Sequence, residues 1–88
     1  MKAVYIHGFT GSIFSPIVEK FRVHYPELEW CFIEVNQNPD ESLPKIKQFL
    51  QENPDVAYLI GSSMGGFYVL CTEFEGRKIV INPLLQAP

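Results

Sequence analysis

The chain has 88 residues, a length that suits one small domain. Hydrophobic residues make up 47% of it and charged residues 19%, a globular composition that argues against intrinsic disorder. The net charge is −3 and no Lys/Arg cluster is present, so the sequence gives no support to nucleic-acid binding.

Four short apolar runs, each closed by Gly, Pro or Asn, predict β-strands. They are continuously apolar rather than alternating, which is typical of strands buried on both faces of a parallel sheet. The runs cover residues 3–6, 30–33, 56–60 and 78–81.

The segments between these runs predict three helices. They cover about residues 16–25, 39–53 and 64–74. Ser15-Pro16 and Asn38-Pro39 each offer an N-cap followed by Pro at the first helical position, and Glu41 completes a variant of the capping box. We expect Gly76 to stop the third helix.

The alternation of strands and helices predicts the fold class. Right-handed crossovers of this length give a three-layer α/β sandwich around a four-stranded parallel sheet. A doubly wound strand order of 2-1-3-4 makes the first and third strands neighbours. We therefore expect one α/β domain over residues 1–88.

Residues 61–65, Gly-Ser-Ser-Met-Gly, fit the pattern G-x-S-x-G between a predicted buried strand and a predicted apolar helix. This is the context of a nucleophile elbow, a strained turn that exposes a serine hydroxyl at the edge of the sheet. Side chains two positions before and after Ser63 would clash across the turn, which explains Gly61 and Gly65. We expect Gly66 to let the helix approach the strand closely.

Acyl transfer also requires donors for the oxyanion. The backbone N–H of Met64, at the start of the helix, is one candidate. The loop His7-Gly8-Phe9 follows the first strand and offers the Phe9 N–H as the second. The carboxyl ends of adjacent parallel strands share one edge, so we expect the two turns to meet there.

The segments "VYIHGF", "LIGSSMGGFY" and "INP" closely resemble the YqiA/YcfP-like esterases, a branch of the α/β-hydrolase superfamily. The resemblance implies a cytoplasmic esterase for short acyl ester or thioester substrates, without a cofactor. It implies that Ser63 is the nucleophile, that Phe9 and Met64 are the oxyanion donors, and that His7 and Gly8 support the loop beside them.

The catalytic triad is incomplete in this sequence. Serine hydrolases of this class order it Ser, Asp or Glu, then His, and no histidine follows Ser63. His24 is expected at a helix end, and His7 is expected to order the oxyanion loop rather than act as base. We therefore interpret residues 1–88 as a truncated hydrolase core that is inactive or very weakly active alone.

Two alternatives remain open. The missing histidine also fits an inactive hydrolase-like module that binds a partner. An anion or nucleotide site on the glycine turn is disfavoured because no Lys follows the glycines and no G-x-G-x-x-G pattern occurs.

The sequence also carries expectations about partners and compartment. Cys31 and Cys71 fit no metal-ligand pattern and are expected to be buried free thiols in a reducing compartment, with a disulfide as the alternative. No metal and no membrane segment are predicted. The apolar strand at residues 79–81 is expected to pair with a second copy or with a missing C-terminal half.

Overall fold

Seven elements alternate along the chain in the predicted order, as a computed structural model of residues 1–8 and 16–88 shows. The strands are β1 (Lys2–Ile6), β2 (Glu29–Ile33), β3 (Val56–Ser62) and β4 (Arg77–Ile81). The helices are α1 (Pro16–His24), α2 (Pro39–Glu52) and α3 (Met64–Cys71). The four strands are parallel and lie in the order β2-β1-β3-β4, which confirms the predicted sheet.

The register of the sheet brings the carboxyl ends of all four strands to one edge. Ile6, the last residue of β1, pairs with Ile33 of β2 and with Gly61 of β3. Ser62, the last residue of β3, pairs with Ile81 of β4. The segments that leave the strands at this edge therefore lie side by side, as a parallel sheet requires.

Hydrophobic clusters on both faces of the sheet form the core. The cluster under α2 and α3 centres on Ile46 and Tyr68, both fully buried. The cluster under α1 contains Tyr5, Val18 and Ile60. Helices thus cover both faces, which confirms the three-layer architecture.

The start of α2 differs in detail from the predicted capping box. The Asn38 side chain accepts a hydrogen bond from the Asp40 N–H (3.0 Å), as an N-cap should. The Glu41 carboxylate, however, accepts from the Asn36 side-chain amide instead of from the Asn38 N–H. The Asn38 N–H already donates to the Asn36 side-chain oxygen (2.9 Å), so it does not donate to Glu41 as a capping box would require.

Helix α3 ends at Cys71, three residues before the predicted end. Thr72 has extended backbone angles, and its hydroxyl donates to the Tyr68 carbonyl (2.7 Å), which satisfies one terminal acceptor. Gly76 is therefore not the helix stop. It lies where a Cβ would come within 2.7 Å of the Ala57 carbonyl oxygen, at the entry to β4.

The prediction that both cysteines are buried is wrong. Cys31 and Cys71 are both free, but Cys31 is only partly buried and Cys71 is exposed. Burial raises the pKa of the Cys31 thiol, and the Glu29 carboxylate raises it further.

No helix in the described ranges, 1–8 and 16–88, has the length and apolarity needed to cross a membrane.

Candidate active site

Ser63 forms the whole connection between β3 and α3. Ser62 is the last residue of the strand and Met64 the first residue of the helix, so a single residue must redirect the chain. Its backbone angles are φ 54° and ψ −119°, in the region that side-chain-bearing residues rarely adopt. Such a conformation costs about 1–3 kcal/mol and persists only when the surrounding structure holds it.

Two glycines provide the space that this turn needs. A Cβ on Gly61 would lie 2.3 Å from the Gly65 carbonyl oxygen, so the backbone at position 65 leaves no room for a side chain at position 61. A Cβ on Gly65 would lie 2.1 Å from the Ile6 carbonyl oxygen. The end of β1 therefore leaves no room for a side chain at position 65, because α3 begins directly against that strand.

Gly66 has a different neighbour from the predicted one. A Cβ there would meet Pro83 first, at 2.8 Å, while the strand carbonyl of Gly61 is 3.3 Å away. The close approach that Gly66 allows is therefore mainly to the segment after β4, and less to β3.

Gly8, two residues after the end of β1, lies against the Ser63 turn. A Cβ on Gly8 would be 3.2 Å from the Ser63 Cβ and 3.3 Å from the Ser62 carbonyl oxygen. Tyr5 adds a second link, because its hydroxyl and the Ser62 hydroxyl are 2.7 Å apart. Phe9, the predicted second oxyanion donor, lies outside the described residues. The two predicted segments are therefore adjacent as far as Gly8.

The backbone of Ser63 is fully hydrogen-bonded. Its N–H donates to the Ile81 carbonyl (3.0 Å), and its carbonyl accepts from the Phe67 N–H (3.1 Å) and the Leu84 N–H (3.0 Å). Its side chain does not cap α3. The half-buried hydroxyl is thus left free of the capping role that a serine at a helix start usually has.

Met64 occupies the first helical position. The N–H groups of the first helical turn have no acceptor within the helix. Among residues 1–8 and 16–88, no backbone group accepts a hydrogen bond from the Met64 N–H. The Met64 side chain is 1% exposed and anchors this end of the helix in the core. The arrangement leaves one backbone donor beside the Ser63 hydroxyl.

His7 is buried, at 4% exposure, with main-chain partners on both ring nitrogens. The Val35 N–H donates to Nε2 (3.1 Å), so Nε2 carries no proton. Nδ1 lies 2.8 Å from the Gly8 carbonyl oxygen and must donate to it. A Glu34 carboxylate oxygen is 3.6 Å from Nε2, but an ion pair would require a proton where the Val35 N–H already points. His7 is therefore a neutral link between β1 and the segment after β2.

The segment after β2 is held by two residues that the sequence analysis did not single out. The Tyr68 hydroxyl donates to the Asn36 carbonyl (2.6 Å). The buried Ser42 hydroxyl donates to the same carbonyl (3.0 Å) and accepts from the Asn36 N–H (3.1 Å). In sequence, Tyr68 belongs to an apolar helix and Ser42 to a helix start, so neither indicates this contact.

The described surface includes a smaller and a larger depression. The smaller, about 400 Å³, lies beside His7 and Met64 and is bounded by residues 34–38. The larger, about 980 Å³, lies between α2 and the segment after α3 and contains none of the predicted site residues. We relate the smaller one to the candidate site because Met64, which directly follows Ser63, is among its lining residues.

Neither the second histidine nor the residue that follows β4 supplies a base or an acid to Ser63. His24 is the exposed last residue of α1, which runs back toward the opposite edge of the sheet. Asn82 follows β4 at the correct edge, with φ 43°, but carries an amide rather than an acid. No group of three or more His, Cys, Asp or Glu residues in the described ranges could hold a metal ion.

A parallel α/β sheet with a strained serine between strand and helix is typical of the α/β-hydrolase class. The model of the uncharacterised protein family UPF0227 matches residues 2–87, and the chain belongs to that family. This is the YqiA/YcfP-like esterase family, so the predicted family is confirmed. Membership indicates an esterase-like hydrolase. Comparison with curated proteins found no match.

Proposed function

We propose that the chain carries the nucleophile half of a serine ester hydrolase, with Ser63 as the nucleophile. The observation that carries this proposal is the backbone of Ser63, at φ 54° and ψ −119° between a buried strand and a helix. A conformation of this cost requires a reason, and exposing a reactive hydroxyl at the edge of a sheet is the established one for such a turn.

The proposed reaction is acyl transfer from a small ester or thioester. The Ser63 oxygen attacks the carbonyl carbon and gives its proton to a base, and the N–H groups of Met64 and Phe9 stabilise the oxyanion. Collapse of the intermediate expels the protonated alcohol or thiol and leaves an acyl-serine. Water then releases the carboxylic acid and restores the hydroxyl. Two observations support these roles: no backbone group of residues 1–8 and 16–88 accepts from the Met64 N–H, and Gly8 lies beside Ser63.

We assign the base and the acid of the triad to residues outside these 88. Both ring nitrogens of His7 are engaged by backbone groups, and His24 is at the far edge of the sheet. Without its triad partners, a serine hydrolase retains roughly 10³–10⁴-fold acceleration over water. We expect no more than this from the 88 residues alone. The free thiols Cys31 and Cys71 support a cytoplasmic setting for the reaction.

The test supplies the missing base from solution. A fluorophosphonate probe, added to the 88-residue chain with imidazole as external base, is expected to form an adduct that mass mapping places on Ser63 and not on Ser62. The rate should rise with imidazole concentration, because the Ser63 hydroxyl stays protonated near neutral pH.

Two controls accompany this experiment. Ser63→Ala should remove the adduct, and the urea-unfolded chain should label no faster than a free serine peptide because the turn is lost. If folded wild-type protein labels no faster than unfolded protein with imidazole present, the proposal is wrong. That result would favour the second candidate, an inactive hydrolase-like module that binds a partner, which the lack of a free histidine near Ser63 already supports.

A further inference from the structure

Residues 81–84, which we call the β4 turn, bind the Ser63 backbone from both sides. The Ile81 carbonyl accepts from the Ser63 N–H (3.0 Å), and the Leu84 N–H donates to the Ser63 carbonyl (3.0 Å). The first contact continues the parallel ladder between β3 and β4. The second lies beyond the strand and has no counterpart in regular sheet pairing.

The shape of the β4 turn makes both contacts compatible. Asn82 has φ 43°, a conformation that Asn adopts more readily than most residues. The chain bends there, so that an acceptor at Ile81 and a donor at Leu84 both face Ser63. Pro83 fits against the first turn of α3, since a Cβ on Gly66 would lie 2.8 Å from its Cβ.

Ser63 is strained, and its α3 bond alone does not fix its conformation. The Phe67 N–H bond to the Ser63 carbonyl is an ordinary helical bond and is compatible with many conformations of the preceding residue. The bonds from Ile81 and Leu84 fix both peptide groups that flank the Ser63 Cα, and so restrict φ and ψ together.

We propose that the β4 turn positions the nucleophile: Leu84 holds Ser63 in its strained conformation through a backbone hydrogen bond, and Asn82 shapes the turn that makes this bond. The catalytic consequence rests on the function proposed above, whereas the conformational one does not. This assigns a role to the "INP" segment that is independent of any triad acid, because Asn82 acts through its backbone.

An amide-to-ester replacement tests the Leu84 hydrogen bond. Ligation at Cys71 of a synthetic peptide covering residues 71–88 allows Leu84 to be replaced by its α-hydroxy analogue, which removes the N–H and keeps the side chain. The same replacement at Leu85 is the matched control. Leu85 is 81% exposed, and its N–H has no backbone acceptor in the described part of the chain.

Two quantities are measured on both esters. The three-bond HN–Hα coupling and the Cα shift of Ser63 report whether φ stays positive, and the imidazole-dependent fluorophosphonate rate reports reactivity. We expect the Leu84 ester to lose the positive-φ signature and to label about tenfold more slowly, the effect of losing one hydrogen bond of ordinary strength. The Leu85 ester should match wild type in both.

Substitutions at Asn82 provide a second test that leaves the Leu84 N–H in place. Asn82→Gly keeps access to positive φ and should match wild type. Asn82→Ala should change the Ser63 coupling and the labelling rate in the same direction as the Leu84 ester, but by less. A Leu84 ester with an unchanged Ser63 coupling and a labelling rate within twofold of the Leu85 ester would overturn the inference. If the wild type fails to label while the Ser63 coupling still differs between the wild type and the Leu84 ester, the inference stands and the hydrolase proposal fails.

Discussion

At the scale of single residues, the site is defined by close backbone approaches. Ser63 can adopt its strained angles because Gly61 and Gly65 leave room for neighbouring carbonyls, at distances that no Cβ would tolerate. The carbonyl oxygens concerned belong to Gly65 in the first turn of α3 and to Ile6 at the end of β1, so both are backbone atoms of hydrogen-bonded elements. The glycine spacing in the motif is thus a packing requirement first, and a requirement for exposing the hydroxyl second.

This predicts a graded response to alanine. Gly65→Ala places a Cβ 2.1 Å from the Ile6 carbonyl oxygen and should destabilise the fold by more than about 3 kcal/mol, or prevent folding. Gly8→Ala meets the Ser63 Cβ at 3.2 Å, so a small shift accommodates it and we expect a cost of about 1 kcal/mol. Urea denaturation of both variants measures the difference. Equal costs would show that the backbone around Gly65 can shift to accommodate a Cβ.

At the scale of elements, the start of α2 and the end of β2 form one hydrogen-bonded unit. Asn36 is bound by Ser42 and Tyr68, and Asn38 caps the helix. His7 joins this unit to β1 through the Val35 N–H. The segment after β2, at residues 34–38, is therefore held by contacts from three separate elements.

The contribution of the helix cap to this unit is measurable. Asn38→Ala removes the acceptor for the Asp40 N–H and should lower the free energy of unfolding by about 1 kcal/mol. Asn38→Ser keeps an acceptor and should cost less than half as much. Thermal or urea unfolding followed by circular dichroism compares the two. An equal loss in both variants would mean that the cap contributes through something other than this hydrogen bond.

At the scale of the whole molecule, the chain is compact but has an open edge. Its radius of gyration is 11.8 Å, near the value of about 12 Å expected for a folded domain of this length. Strand β4 is nevertheless an edge strand, and Ile79 on it is 40% exposed. An apolar edge of this kind favours pairing with another strand.

We propose that the 88-residue chain pairs with a second copy through β4 where no C-terminal half is present to cover it. Wild type should then sediment as a dimer at high concentration, and Ile79→Lys should shift it to monomer because a charge on the edge opposes pairing. Val23→Lys is the matched control, since Val23 is 64% exposed on α1, away from this edge. Wild-type protein that stays monomeric at high concentration would contradict the proposal.

The sequence by itself determined the fold class, the sheet order, the family and the position of the strained turn. Strand and helix periods, the Asn-Pro start of α2 and the G-x-S-x-G spacing are local signals, so each can be interpreted from a few neighbouring residues. Ser15, the predicted cap of α1, lies outside the described residues. The sequence also predicted that residues 61–65 and 7–8 lie side by side, because parallel strands bring their carboxyl ends to one edge of the sheet. The roles of Ser63, Met64 and Phe9 remain predictions.

Only the tertiary structure decided which groups pair across the chain. The bond between the Val35 N–H and His7 and the contact between Gly66 and Pro83 both join segments distant in sequence. The clearest case is Leu84, an ordinary apolar residue in sequence whose N–H binds the Ser63 carbonyl. Every residue except proline carries the same backbone donor and acceptor, so the sequence contains no signal for which of them will meet.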